Sequence, residues 1–227
     1  MSTPFPGNPG PDPAGAPAEA RATLYLLPDT RRARLAAVAI LPLLHCVCYW
    51  IATRITVLRG PEALIQTEIA LDRLIPYVPA TWPFYWVAYV YVIGVGGLAL
   101  YRLSDANFRR AVVAVSAMMI IGAAIQTLFP ARAPWPPNPT TSQRLFHDSG
   151  LILPYATLPS MHVAYCAFTA GVVSSVLPGR SMTALGMAVV LAVAVSTLTL
   201  REHVILDALT GLALATVTLW WWKKSPA

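Results

Sequence analysis

The chain has 227 residues, of which 56% are hydrophobic and 11% charged. Soluble domains average about 25% charged residues, so this composition excludes an ordinary soluble module and points to an integral membrane protein. The formal charge of +6 and a sequence pI near 9.5 do not indicate nucleic acid, because the basic residues sit in short clusters between apolar segments and form no patch interleaved with aromatics.

Residues 1–22 are rich in Pro, Gly and Ala with little bulk. Such a stretch cannot bury enough surface to offset its ordering entropy, so it reads as a disordered N-terminal tail. It lacks a charged n-region followed by an apolar core and cleavage site, and so does not read as a cleavable signal peptide. Residues 23–227 read as one membrane domain. Six apolar stretches approach the roughly 20 residues needed to cross the hydrocarbon core: about Leu35–Thr53, Trp82–Tyr101, Ala111–Leu128, Ser160–Leu177, Met182–Leu200 and His203–Trp222. Between the first two, residues 54–80 are too polar to span, and "IQTEIALDRLI" has the amphipathic spacing of an interfacial helix. The second span opens with "ATWPFYWVAYVYV", an aromatic density that suits a membrane–water boundary. A polar, proline-rich loop fills residues 130–158. Cys46, Cys48 and Cys166 all lie inside apolar segments, with neither disulfide nor zinc spacing, and read as buried small hydrophobes.

Lys and Arg set the expected orientation. With the N-terminus in the cytoplasm, Arg31, Arg32, Arg34, Arg102, Arg109, Arg110, Arg180, Lys223 and Lys224 all fall inside, as the positive-inside rule requires. The predicted fold is an all-α integral membrane protein, a six-transmembrane-helix bundle with both termini cytoplasmic. High Ala, Arg and Pro with few Lys suggests a GC-rich genome and hence a bacterial plasma membrane.

This topology gathers the unusual polar residues on the outer face: Arg132, Ser160, His162, Arg201, His203 and Asp207. His203 and Asp207 are spaced i, i+4 at the expected start of the last span, on one face of a helix. A carboxylate that accepts a proton from one imidazole nitrogen fixes the tautomer and sharpens the other nitrogen as a nucleophile. His162 would be a second imidazole that protonates a leaving group. Helix N-termini near Ser160 and Arg201 offer N–H groups to an anion, and a guanidinium beside them completes a phosphate site. The set suits phosphoryl transfer. Each member alone has a plainer reading: an interfacial His snorkels, an i, i+4 His–Asp pair is a local ion pair, and Arg132 or Arg201 is a headgroup contact. His45 reads as a packed, hydrogen-bonded intramembrane histidine, and His147 with Asp148 as solvated loop residues. Only their joint occurrence on one side favours catalysis.

At these residues the chain resembles the type-2 phosphatidic acid phosphatase superfamily, whose motifs are Lys, six residues, Arg-Pro; Pro-Ser-Gly-His; and Ser-Arg, five residues, His, three residues, Asp. "PSMH" at 159–162 matches the second motif with Met161 for glycine, and "STLTLREHVILD" carries the third with Thr197 at the arginine position. "FPARAPWPPN" around Arg132 stands in place of the first. These departures, with "HVILDALTG" and "LDRLIPYVP", are similar to the branch of inositol phosphotransferases and inositol phosphorylceramide synthases, related also to sphingomyelin synthases. Specific motifs lie within 130–215. The resemblance implies a six-helix bundle in which His203 attacks phosphorus to form a phosphohistidine. Asp207 orients it, and His162 protonates the leaving alkoxide and then deprotonates water or an acceptor alcohol such as inositol. Ser160, Thr197, Arg132 and Arg201 are the candidate phosphate contacts, and no metal or other cofactor is expected. The expected partners are a lipid phosphate and surrounding membrane lipids. Transport is a second class, but the polar set sits at one interface and not at the midplane. A non-catalytic lipid-phosphate binder is a third, opposed by retention of both histidines.

Overall fold

In hydrocarbon every backbone N–H and C=O needs an internal partner, so long apolar runs fold as helices. The computed structural model describes residues 31–136, 138–148 and 155–224, without the side chains at 146 and 147. The expected tail at 1–22 and the side chain of His147 lie outside the described residues. The helices are α1 (Arg31–Arg59), α2 (Pro79–Arg102), α3 (Asp105–Leu128), α4 (Thr141–Asp148), α5 (Met161–Val176), α6 (Arg180–Thr199) and α7 (Ile205–Lys224). Five of them, α1, α2, α3, α6 and α7, are long and apolar enough to cross a membrane.

The expected fourth span differs. It is the 16-residue α5, about 24 Å long at 1.5 Å per residue. Ten of its residues are buried, and it packs against α6, α7 and the middle of α2. The other helices instead present Leu43, Val90, Leu191 and Val217 on their outer faces, as lipid-facing surfaces do. The cysteines divide by helix: Cys166 on α5 is buried, whereas Cys46 is exposed and Cys48 half-buried on α1. The expectation that all three are buried therefore fails for α1, where Cys46 lines the large cavity described below.

Tertiary hydrogen bonds set the helix directions. Near the start of α1, Arg34 donates to the Tyr101 and Leu103 carbonyls at 2.8 Å and pairs with Asp105. At its far end Arg59 donates to the Thr127 carbonyl. Thus α1 and α3 run parallel, with α2 antiparallel between them. Trp222 near the end of α7 donates to the Asn107 carbonyl at the start of α3 (3.3 Å), so α7 returns to the end where α3 begins.

Residues 54–80 correct another expectation. The helix α1 takes 54–59, and the rest forms three short 3-10 turns and a two-residue strand, with no interfacial α-helix. Pro61, Pro76 and Pro79 interrupt any longer helix. The strand β1 (Ile65–Gln66) pairs in parallel with β2 (Ala131–Arg132), registering Ile65 with Ala131 and Gln66 with Arg132. Arg132 also bridges Tyr155 in antiparallel fashion. The 130–158 segment is thereby tied down at both sides and carries α4, where an irregular loop was expected.

Candidate active site

At the end of the bundle where α5 and α7 begin, four side chains form a hydrogen-bonded row. Tyr89 Oη lies 3.2 Å from His162 Nε2. His162 Nδ1 lies 3.3 Å from His203 Nε2, and His203 Nδ1 lies 3.2 Å from Asp207 Oδ2. One tautomer assignment satisfies all three contacts. The Tyr89 hydroxyl donates to His162, His162 Nδ1–H donates to His203, and His203 Nδ1–H donates to the carboxylate. His203 then presents an Nε2 lone pair, the nitrogen a nucleophile needs.

Local structure explains each placement. Ser160 is the N-cap of α5, its Oγ accepting from the Val163 N–H (3.5 Å). Its own N–H donates to the Asp207 carbonyl (2.9 Å), which docks the start of α5 on the first turn of α7. His162 follows two residues later, held between Tyr85, whose ring centroid is 4.6 Å away, and Tyr89.

His203 does not lie on a helix, as its spacing to Asp207 had suggested. The chain breaks at Arg201, which has a φ of 63°, and α7 begins only at Ile205. In this turn the Thr197 carbonyl accepts the N–H groups of Glu202 (3.0 Å) and His203 (3.2 Å). Asp207 reaches back to His203 from the first turn of α7 and also accepts the Val204 N–H (3.2 Å). It is completely buried, and its Oδ1 has no partner among the described residues.

The remaining expected phosphate contacts scatter. Thr197 is buried and its hydroxyl donates to the Ala194 carbonyl (2.9 Å). Its observed part is to hold the His203 turn. Arg201 donates to the Ile75 carbonyl (2.9 Å). Arg132 is exposed on β2, beside Tyr155 and, through the bond from the Thr157 N–H to the Ala131 carbonyl (3.3 Å), beside Thr157. Tyr155 and Thr157 line the same cavity as the two histidines.

Several supports have no sequence motif. Gln143 on α4 is buried and donates to the Leu200 carbonyl (3.0 Å) and to Glu202 Oε1 (2.7 Å). Burial pushes the Tyr77 hydroxyl above its ordinary value, so it stays protonated and donates to Gln143 Oε1 (2.9 Å). Buried Asp72 accepts the Ile69 N–H (2.9 Å) and the Ile205 N–H (2.8 Å). The second bond caps α7 from a distance and suits the positive end of its dipole. Among the described residues no group of three His, Cys, Asp or Glu could hold a metal ion.

The row opens into a cavity of about 750 Å³. His162, His203 and Glu202 lie at one end, and the walls continue along α1, α2, α3 and α5 through Leu41, Leu100, Met119 and Phe168. A polar mouth on a deep apolar chamber matches an amphiphile with an anionic head. A family model described as the PAP2 superfamily matches residues 60–221, which contain the whole row. No curated protein and no solved structure gives a significant match.

Proposed function

The chain belongs to the PAP2 superfamily, and we propose that it is a membrane lipid phosphatase or phosphotransferase working through a phosphohistidine on His203. The observation that carries this reading is the His162–His203–Asp207 row at the mouth of the apolar cavity. A phosphate replaces the hydrogen bond between the two imidazoles, since 3.3 Å leaves no room for it between them. His203 Nε2 attacks phosphorus while Asp207 holds the Nδ1 proton and balances the growing imidazolium charge. The bond from phosphorus to the lipid oxygen breaks, its electron pair stays on that oxygen, and His162, which takes up a second ring proton from solvent as the phosphate enters, delivers one proton and is left neutral. Water or an alcohol then gives a proton to His162 and attacks phosphorus. The P–N bond breaks and His203 is restored. Water makes the enzyme a phosphatase; an alcohol such as inositol makes it a transferase, the activity to which the first- and third-motif departures lean.

Charge stabilisation is assigned to the free N–H groups at the start of α5 and to Arg132, whose strand borders the cavity wall, without a metal. Ser160, Thr197 and Arg201 serve the site by fixing its backbone. The helical part is one catalytic domain whose motif-bearing core lies within 130–215. Its six helices all cross, with both termini in the cytoplasm of a bacterial cell and the site at the outer interface.

The test is to follow phosphorus-31 in a panel of lipid phosphates incubated with purified protein, wild type beside His203→Ala, with and without inositol. Phosphate release or head-group transfer that drops at least about 10³-fold in the variant is the expected result. Turnover that survives in His203→Ala sinks the assignment of the nucleophile.

A further inference from the structure

Within the apolar part of the cavity one polar pair stands apart from the catalytic row. His45, midway along α1, places Nδ1 2.8 Å from the Tyr165 hydroxyl of α5. The rings meet edge to face with centroids 5.1 Å apart. Both residues line the cavity. Tyr165 is three residues beyond His162 on the same helix, which puts it about 4.5 Å deeper by helical rise. The neighbouring walls are Leu41, Val92 and Phe168. A phenol is the better hydrogen-bond donor of the two, so Nδ1 accepts and Nε2 carries the imidazole proton. Among the described residues that Nε2–H has no acceptor. A tie between α1 and α5 alone would not need a second donor facing an apolar chamber, where an unpaired polar group costs free energy.

We infer that His45, held by Tyr165, is a subsite that donates a hydrogen bond to an ester carbonyl of the bound lipid. This inference rests on the lipid-phosphate reading of the site and narrows it. A carbonyl acceptor a few bonds below the phosphorus belongs to acyl-ester glycerolipid phosphates. A polyprenyl phosphate or a dialkyl ether lipid offers only hydrocarbon or a weak ether oxygen at that depth. Tyr165 acts as the positioning residue, since its hydroxyl fixes the tautomer that leaves Nε2 as the donor.

The experiment uses the full chain in nanodiscs, in the His203→Ala background so that nothing turns over. Dioleoyl phosphatidate and its dioleyl ether analogue are titrated while the fluorescence of the cavity residues Trp50 and Trp86 is followed. The ester lipid is expected to bind about tenfold tighter, the difference one well-placed hydrogen bond makes. His45→Phe should bring the ratio to within about twofold, His45→Gln should restore part of it through its amide N–H, and Tyr165→Phe should weaken it. Equal binding of the two lipids, binding of neither, or a ratio that persists in His45→Phe overturns the inference. If His45→Phe does not fold, His45→Gln and Tyr165→Phe carry the same comparison. Catalysis is separable from this result. A tenfold ratio together with intact lipids in the wild-type enzyme would leave the subsite standing and remove the phosphoesterase reading. Turnover of both lipids with equal binding would do the reverse.

Discussion

On the proposed mechanism His162 serves as acid and then as base, so its loss should depend on the leaving group. With a lipid alkoxide, removing a positioned general acid costs about 10²- to 10⁴-fold. An aryl phosphate such as p-nitrophenyl phosphate leaves with little help, so His162→Ala should slow the attack on it far less. The same variant lacks the base that activates water, so the phosphohistidine formed from the aryl ester should accumulate and be visible by labelling after an alkaline, denaturing quench, in which the P–N bond survives. Equal losses on both substrates with no trapped intermediate would remove His162 from the proton-transfer role. At this scale the sequence is informative where contacts are local. The third-motif spacing marks His203 and Asp207, and the Nδ1 to Oδ2 distance of 3.2 Å agrees with it. It is silent where contacts are distant. Tyr89 and His162 are 73 positions apart, and His45 and Tyr165 are 120 apart. Within "ATWPFYWVAYVYV" nothing sets Tyr89 apart from the other aromatics of an interfacial belt.

Between elements, the start of α5 is held against α7 at a point where only glycine fits. A Cβ on Gly211 would press into the Ser160 carbonyl oxygen, a backbone atom that cannot rotate away. Gly211→Ala should therefore push α5 off α7, at a cost of about 1–3 kcal/mol for overpacking, and strain the bond from the Ser160 N–H to the Asp207 carbonyl. Activity and thermal midpoint should fall together, while Leu212→Ala, on the exposed side of the same turn, should leave activity near wild type. A Gly211→Ala protein with full activity would contradict this docking. Asp72→Ala removes the distant cap of α7 and should cost about 0.5–2 kcal/mol, seen as a lower midpoint in thermal unfolding; an unchanged midpoint would show that water replaces the cap. Helical periodicity in "IQTEIALDRLI" suggested a solvated interfacial face, but the prolines around it break the helix and Asp72 is spent on the Ile205 N–H. The i, i+4 spacing of His203 and Asp207 predicts one helix, whereas α7 begins only at Ile205. No glycine announces the break at Arg201, so the turn that carries His203 leaves no mark in the pattern.

Taken whole, the bundle separates charge by end. Nine Lys and Arg residues lie at the end holding Arg34, Arg102, Arg180 and Lys224. The end with the histidines mixes Arg59, Arg73, Arg132, Arg144 and Arg201 with Glu62, Glu68 and Asp72. Hydrogen bonds from Arg34, Arg59 and Trp222 fix α1 and α3 as parallel, α2 as antiparallel to them and α7 as antiparallel to α3, whatever surrounds them. The positive-inside rule then selects which end faces the cytoplasm. The shortest of the six proposed crossings is α5, and it decides whether residues 141 and 181 face opposite compartments. On that proposal its shortness is tolerable because its sides meet protein, and the neighbouring helices set the local thickness of the barrier around it. A chain with Cys46, Cys48 and Cys166 replaced can carry one new cysteine at Thr141 or at Ser181, both exposed. In intact cells a membrane-impermeant maleimide should label Thr141→Cys directly and Ser181→Cys only after permeabilisation. Labelling of both from outside would mean that α5 does not cross. The reverse pattern would turn the molecule over and place phosphoester cleavage on the cytoplasmic face, where the lipid pool and the acceptor alcohols are different.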